Sequence, residues 1–133
     1  MSLLDILRSV LVRPDAPGDE SAVTGFHHIT DVDDLDMAFT RSNERAVVLF
    51  KHDPFCSISS RAHSQVSQVA APVFLVDVAR DRDLSLTVSD QTGVRHESPQ
   101  TIVLRAGAAV WHASHGSITT TAVSDAVERA KRL

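Results

Sequence analysis

A chain of 133 residues with 43% hydrophobic residues and a formal charge of −4 is long enough to enclose one real core and too short for two ordinary domains. No apolar run approaches the roughly 18 residues of a membrane span, and the first residues lack a basic stretch leading into an apolar run and cleavage site. Both points favour a soluble cytoplasmic protein over a secreted one. Lysines and arginines are scattered, which gives nucleic acid no basic field to bind, and a single cysteine can form a disulfide only with another molecule.

In chain order, Leu3, Leu4, Ile6, Leu7, Val10 and Leu11 mark a short amphipathic helix ending near Pro14. The segment Pro14 to Ser21 mixes prolines, glycine and acids and reads as a linker. The chain therefore divides into a leading helix and linker over 1–24 and a domain over 25–133. Phe26 to Ile29 fits a short strand. A helix to about Ser42 follows, with Thr30 as its expected cap and Asp31, Asp33, Asp34 and Asp36 as dipole-compensating acids rather than metal ligands. Ala46 to Phe50 is a continuous apolar run of the kind buried on both faces of a sheet.

The segment Phe50-Lys51-His52-Asp53-Pro54-Phe55-Cys56 then brings the only cysteine to the start of a helix. That helix has a predicted apolar stripe of Ile58, Ala62, Val66, Val69 and Ala70, and Pro72 as its stop. Unpaired N–H groups and the helix dipole favour a thiolate at such a position, which makes Cys56 a candidate nucleophile. The plainer alternative is a small buried apolar residue. Ser59 lies one turn on, where its hydroxyl can donate to the thiolate or simply face solvent. Ser57 keeps a backbone N–H that can add a second donor. His52 reads as a strand-end histidine facing water.

Val73 to Val78 is a second buried strand, so strand, helix and strand form a parallel unit. Arg80 to Gln91 supports only a short helix or turn ending near Gly93. Glu97-Ser98-Pro99-Gln100 leads into the strand Thr101 to Leu104. Pro99 has no N–H to donate and either simply opens the strand or follows a cis peptide bond, the backbone of Ser98 then being able to pair with an extended substrate. Ala106-Gly107 turns the chain into a hairpin strand, Ala108 to Ser114. A last helix from about Thr119 carries Ala122, Val123, Ala126, Val127 and Ala130. His112 and His115 have ligand-like spacing, with His96 or Cys56 as further donors. Strand geometry separates them, so no metal and no tightly bound cofactor is assigned.

The order β-α-β-α-β-α-β-β-α, with a cysteine opening the second helix and a proline opening the strand before the hairpin, resembles the thioredoxin fold: an α/β architecture with a central mixed sheet flanked by helices. Phe50-Lys51-His52 with Cys56-Ser57-Ile58-Ser59-Ser60, Gly93 to Gln100, and Val110-Trp111-His112-Ala113-Ser114-His115 resemble the YtxJ-like monothiol bacilliredoxins. The resemblance covers roughly Phe26 to Leu133. It implies a cytoplasmic thiol-disulfide oxidoreductase that removes bacillithiol from S-bacillithiolated proteins, with bacillithiol itself as co-substrate. By the same resemblance Cys56 is the nucleophile, Ser59 takes the place of a resolving cysteine, and Pro99 is the cis-proline beside the site. The family commonly has proline after the cysteine, and this chain has Ser57. Two other functions share these residues: a thioredoxin-like adaptor domain without catalysis, and a thiol peroxidase.

Overall fold

The computed structural model describes residues 25–133. The stripe and linker read over 1–24 lie outside the described residues. Strand β1 (Phe26–His28) is followed by α1 (Val32–Arg41), β2 (Val47–His52), α2 (Ser57–Val66), β3 (Val73–Asp77) and α3 (Arg82–Thr92). Strands β4 (Gln100–Arg105) and β5 (Ala108–Ser114), a 3₁₀ turn (His115–Ser117) and α4 (Thr120–Ala130) complete the chain. The five strands form one sheet in the order β1-β3-β2-β4-β5. β1 and β2 run parallel to β3, and β4 runs antiparallel to both β2 and β5.

Period-two alternation along β2 divides the core between the two faces of the sheet. Val48 and Phe50 pack with Ala62 and Val66 of α2 and Val123, Ala126 and Val127 of α4. Val47 and Leu49 pack on the other face with Leu35 and Ala38 of α1 and Leu84 and Val88 of α3. A strand covered on both faces must be apolar throughout, which is why Val47 to Phe50 is an unbroken apolar run.

Helix boundaries differ from the sequence reading in three places. The cap of α1 is Asp31, not Thr30: its carboxylate accepts the Asp34 N–H at 2.8 Å. Thr30 instead donates its N–H and hydroxyl to the Asp34 carboxylate at 2.9 and 3.0 Å, a reciprocal arrangement of the capping-box kind. The segment after β3, where the sequence supports a short helix or a turn, is a helix of 11 residues, capped by Asp81 and ended by Gly93 at φ 75°. Its pattern is weak because Ser85 shares the buried face with Leu84 and Val88. Helix α2 ends at Val66, and Ile58, expected in its apolar stripe, is 49% exposed.

The β4–β5 hairpin turns on Ala106 and Gly107, at φ 55° and 78°, the signature of a type I′ turn. Buried Ser42 holds it: its carbonyl accepts the Ala106 N–H at 2.7 Å and its hydroxyl the Gly107 N–H at 2.9 Å.

Candidate functional site

The carboxyl ends of β2 and β3 and the start of β4 meet at one end of the sheet, since His52 is in register with Asp77 and Lys51 with Gln100. Helix α2 leaves β2 toward one face and α3 leaves β3 toward the other. Neighbouring strands whose connections diverge in this way open a crevice between their ends.

The turn after β2 presents the cysteine. Asp53 closes it twice: its carboxylate accepts the Phe55 N–H at 2.9 Å and its carbonyl the Cys56 N–H at 3.1 Å. Cys56 is the N-cap residue of α2, in extended conformation, with its carbonyl accepting the Ser60 N–H at 3.0 Å. Its sulfur makes no capping bond, and the thiol is free and half-buried. The first N–H groups of α2, that of Ser57 included, have no carbonyl one turn back to pair with, so the sulfur stands at the positive end of the helix dipole. Phe55, 88% exposed, and Ile58 flank it as an apolar rim.

Ser59 is not a solvent-facing serine. It is fully buried, its oxygen accepts the Asp53 N–H at 2.9 Å, and it lies 2.7 Å from His52 Nδ1. Burial and the neighbouring His63 hold His52 below its ordinary pKa, so its neutral form accepts the Ser59 hydroxyl proton. The hydroxyl is thus engaged with His52 and Asp53 rather than with the Cys56 sulfur. Ser59 ties strand, turn and helix together where the cysteine is presented. The water-facing reading of His52 is corrected accordingly: its ring stacks on Phe50 at 5.4 Å and lies 4.8 Å from the ring of His63, which meets the edge of Phe26 at 4.6 Å.

Across the crevice the Ser98–Pro99 peptide bond is cis, as expected from the sequence. Pro99 is buried and its carbonyl accepts the His115 N–H at 3.0 Å. Ser98 is half-buried, and its hydroxyl oxygen is sequestered without a partner among the described residues. His112 and His115 are both exposed, and among the described residues no three histidine, cysteine or carboxylate side chains gather as a metal set would require.

On the opposite face Lys51 is 1% exposed, with its ammonium 3.0 Å from His96 Nδ1 and 3.2 Å from Ser89 Oγ. Burial lowers its pKa to about 8. Neither this contact nor the His52–Ser59 pair was recognised from sequence. The one available signal was the Lys51-His52 pair continuing a buried apolar strand, where a charged side chain must find a partner.

This scaffold, with a free thiol at the helix after β2 and a cis-proline at β4, belongs to the class of thioredoxin-fold thiol-disulfide oxidoreductases. Solved structures of thioredoxin fold are similar, three of them as follows. A thioredoxin-fold protein taken to be an oxidoreductase is 27% identical, with TM-score 0.70 over 75% of this chain and 91% of its own. A thioredoxin mutant from Halobacterium salinarum is 21% identical, with TM-score 0.66 over 84% of this chain and 95% of its own. The thioredoxin of Fasciola hepatica is 16% identical, with TM-score 0.64 over 80% of this chain and 100% of its own. Residues 27–123 match the family described as monothiol bacilliredoxin BrxC, and the chain belongs to that family. No helix among the described residues is long and apolar enough to cross a membrane.

Proposed function

We propose that this protein is a cytoplasmic monothiol reductase that removes bacillithiol from S-bacillithiolated proteins, with Cys56 as the nucleophile. The observation that carries this reading is the half-buried free thiol at the N-cap of α2, in a chain with no second cysteine. Family membership supports bacillithiol as the small thiol.

The Cys56 thiolate attacks the bacillithiol sulfur of the mixed disulfide, the old S–S bond breaks, and the protein thiolate leaves and takes a proton from solvent. Cys56 is left capped. A second bacillithiol, as thiolate, attacks the bacillithiol sulfur of that cap, so bacillithiol disulfide departs and the Cys56 thiolate is restored. One free bacillithiol is consumed for each protein mixed disulfide reduced, and its sulfur leaves joined to the one that had capped the protein. Ser59 serves this cycle by holding the turn rather than by resolving it, while Ser57 and Ser98-Pro99 line the path of the incoming disulfide.

Purified protein is incubated with a bacillithiolated substrate protein, and intact mass spectrometry follows both chains. One bacillithiol adduct is expected on the wild type and none on Cys56→Ser, with turnover restored by bacillithiol and not by glutathione or cysteine. Equal turnover with glutathione would remove the bacillithiol assignment. Absence of any adduct would favour an adaptor domain, and consumption of peroxide in place of disulfide a thiol peroxidase.

A further inference from the structure

Lys51 is a buried cation with no carboxylate within salt-bridge distance among the described residues. Desolvating an ammonium is costly, so a lysine retained in this position calls for an explanation beyond packing. Its partners supply one. Ser89 belongs to α3, whereas His96 belongs to the loop between α3 and β4 that ends at Ser98-Pro99. Gln100, the cross-strand partner of Lys51, grips the same loop by donating its amide to the Arg95 carbonyl at 2.9 Å. At either end of the loop the Thr92 hydroxyl accepts the Val94 N–H at 3.2 Å and the Pro99 carbonyl accepts the His115 N–H at 3.0 Å. The backbones of His96, Glu97 and Ser98 make no bond to another turn or loop among the described residues, and the Ser98 hydroxyl oxygen is in addition buried without a partner.

We infer that Lys51 is a positioning residue for the polypeptide substrate: by donating to His96 Nδ1 it sets the loop that offers Ser98 to an extended substrate strand. This rests on Cys56 being the attacking thiol. Adjacent residues of β2 thereby fix both walls of the crevice. His52 holds the cysteine turn through Ser59, and Lys51, pointing to the other face, holds the wall opposite through His96. A polypeptide disulfide needs both walls, since main-chain groups must pair alongside the sulfur exchange. A small disulfide needs only the cysteine wall.

The test uses Cys56 mixed disulfides and no bacillithiol, so its failure is distinguishable from failure of the proposed bacillithiol activity. Two exchange equilibria are measured, one with a cysteine-containing decapeptide and one with 2-mercaptoethanol, in the wild type, Lys51→Met, His96→Leu and His96→Asn. The peptide equilibrium should fall about tenfold in Lys51→Met and His96→Leu, the loss expected for one or two main-chain hydrogen bonds. The 2-mercaptoethanol equilibrium should stay unchanged. Asn keeps an acceptor near the place of Nδ1, so His96→Asn should recover most of the peptide term. Equal shifts in both equilibria would show that the thiol itself had changed, and no shift in either would show that Lys51 serves stability alone; each result overturns the inference. If Lys51→Met fails to fold, His96→Leu, at a half-exposed loop position, decides the matter by the same criteria.

Discussion

Ser59 shows how one side chain can be chemically silent and still necessary to the site. The hydroxyl of fully buried Ser59 accepts from Asp53 and bonds His52, so Ser59→Ala leaves a half-buried N–H and a half-buried imidazole nitrogen without these partners. A loss of about 1–3 kcal/mol is expected, read from the urea midpoint. Phe55 offers the opposite case. It is 88% exposed beside Cys56, so Phe55→Ser should move the unfolding free energy by no more than about 0.5 kcal/mol. A larger loss would mean that its ring packs on the domain instead of standing clear at the rim.

The elements that present the site are held at their ends. Helix α3 starts on the Asp81 carboxylate, which accepts the Leu84 N–H at 2.9 Å, and Asp81→Ala should cost about 1 kcal/mol. At its other end Gly93 has φ 75° with nothing within 4 Å of an added Cβ. Gly93→Ala should therefore cost about 1 kcal/mol through backbone conformation alone, without a clash. Gln65 ties α2 to α4: its side-chain oxygen accepts the Thr120 N–H at 2.8 Å, and its carbonyl the Thr120 hydroxyl at 2.7 Å. Amide exchange should accelerate over the first turn of α4 in Gln65→Ala, while the amides of β2 and β4 stay protected.

For the whole molecule, stability should depend on pH through groups whose affinity for protons changes on folding. His27, His52, His63 and His96 all sit below their ordinary value of 6.5, in each case first through burial. Between the folded values and 6.5 the unfolded chain binds more protons, so stability rises with pH in that window. It is complete above about 6.5 and is lost as pH falls through that value. The lowered carboxylates Asp34, Glu97 and Glu128 act only at more acid pH, below their ordinary values of 3.8 to 4.5. A urea midpoint lower at about pH 5.5 than at about pH 7.5 is therefore expected to come from the histidines, and an unchanged midpoint would contradict their burial. Lys51 acts at the alkaline end. Its folded pKa of about 8 lies below the ordinary 10.5, so it adds stability as pH rises between those values, a rise that Lys51→Met should flatten.

The order of elements was legible in the sequence because its signals are local: apolar runs at Ala46–Phe50 and Val73–Val78, the turn at Ala106-Gly107, the helix start near Thr119. The placement of Cys56 at a helix start was legible for the same reason, whereas the cis bond at Pro99 followed from the family resemblance and not from its immediate neighbours. Helix α3 was underestimated because a buried serine interrupts its stripe, and Ile58 was assigned to the core because periodicity cannot tell the last buried turn of a helix from its exposed first one. The partners of the site were decided only in three dimensions. Lys51 reaches Ser89 and His96 across 38 and 45 residues, and Ser59 turns inward to His52 instead of toward the cysteine. Such contacts follow from strand register and from the face to which each side chain points, which the packing of β2 between β3 and β4 sets and no short stretch of sequence contains.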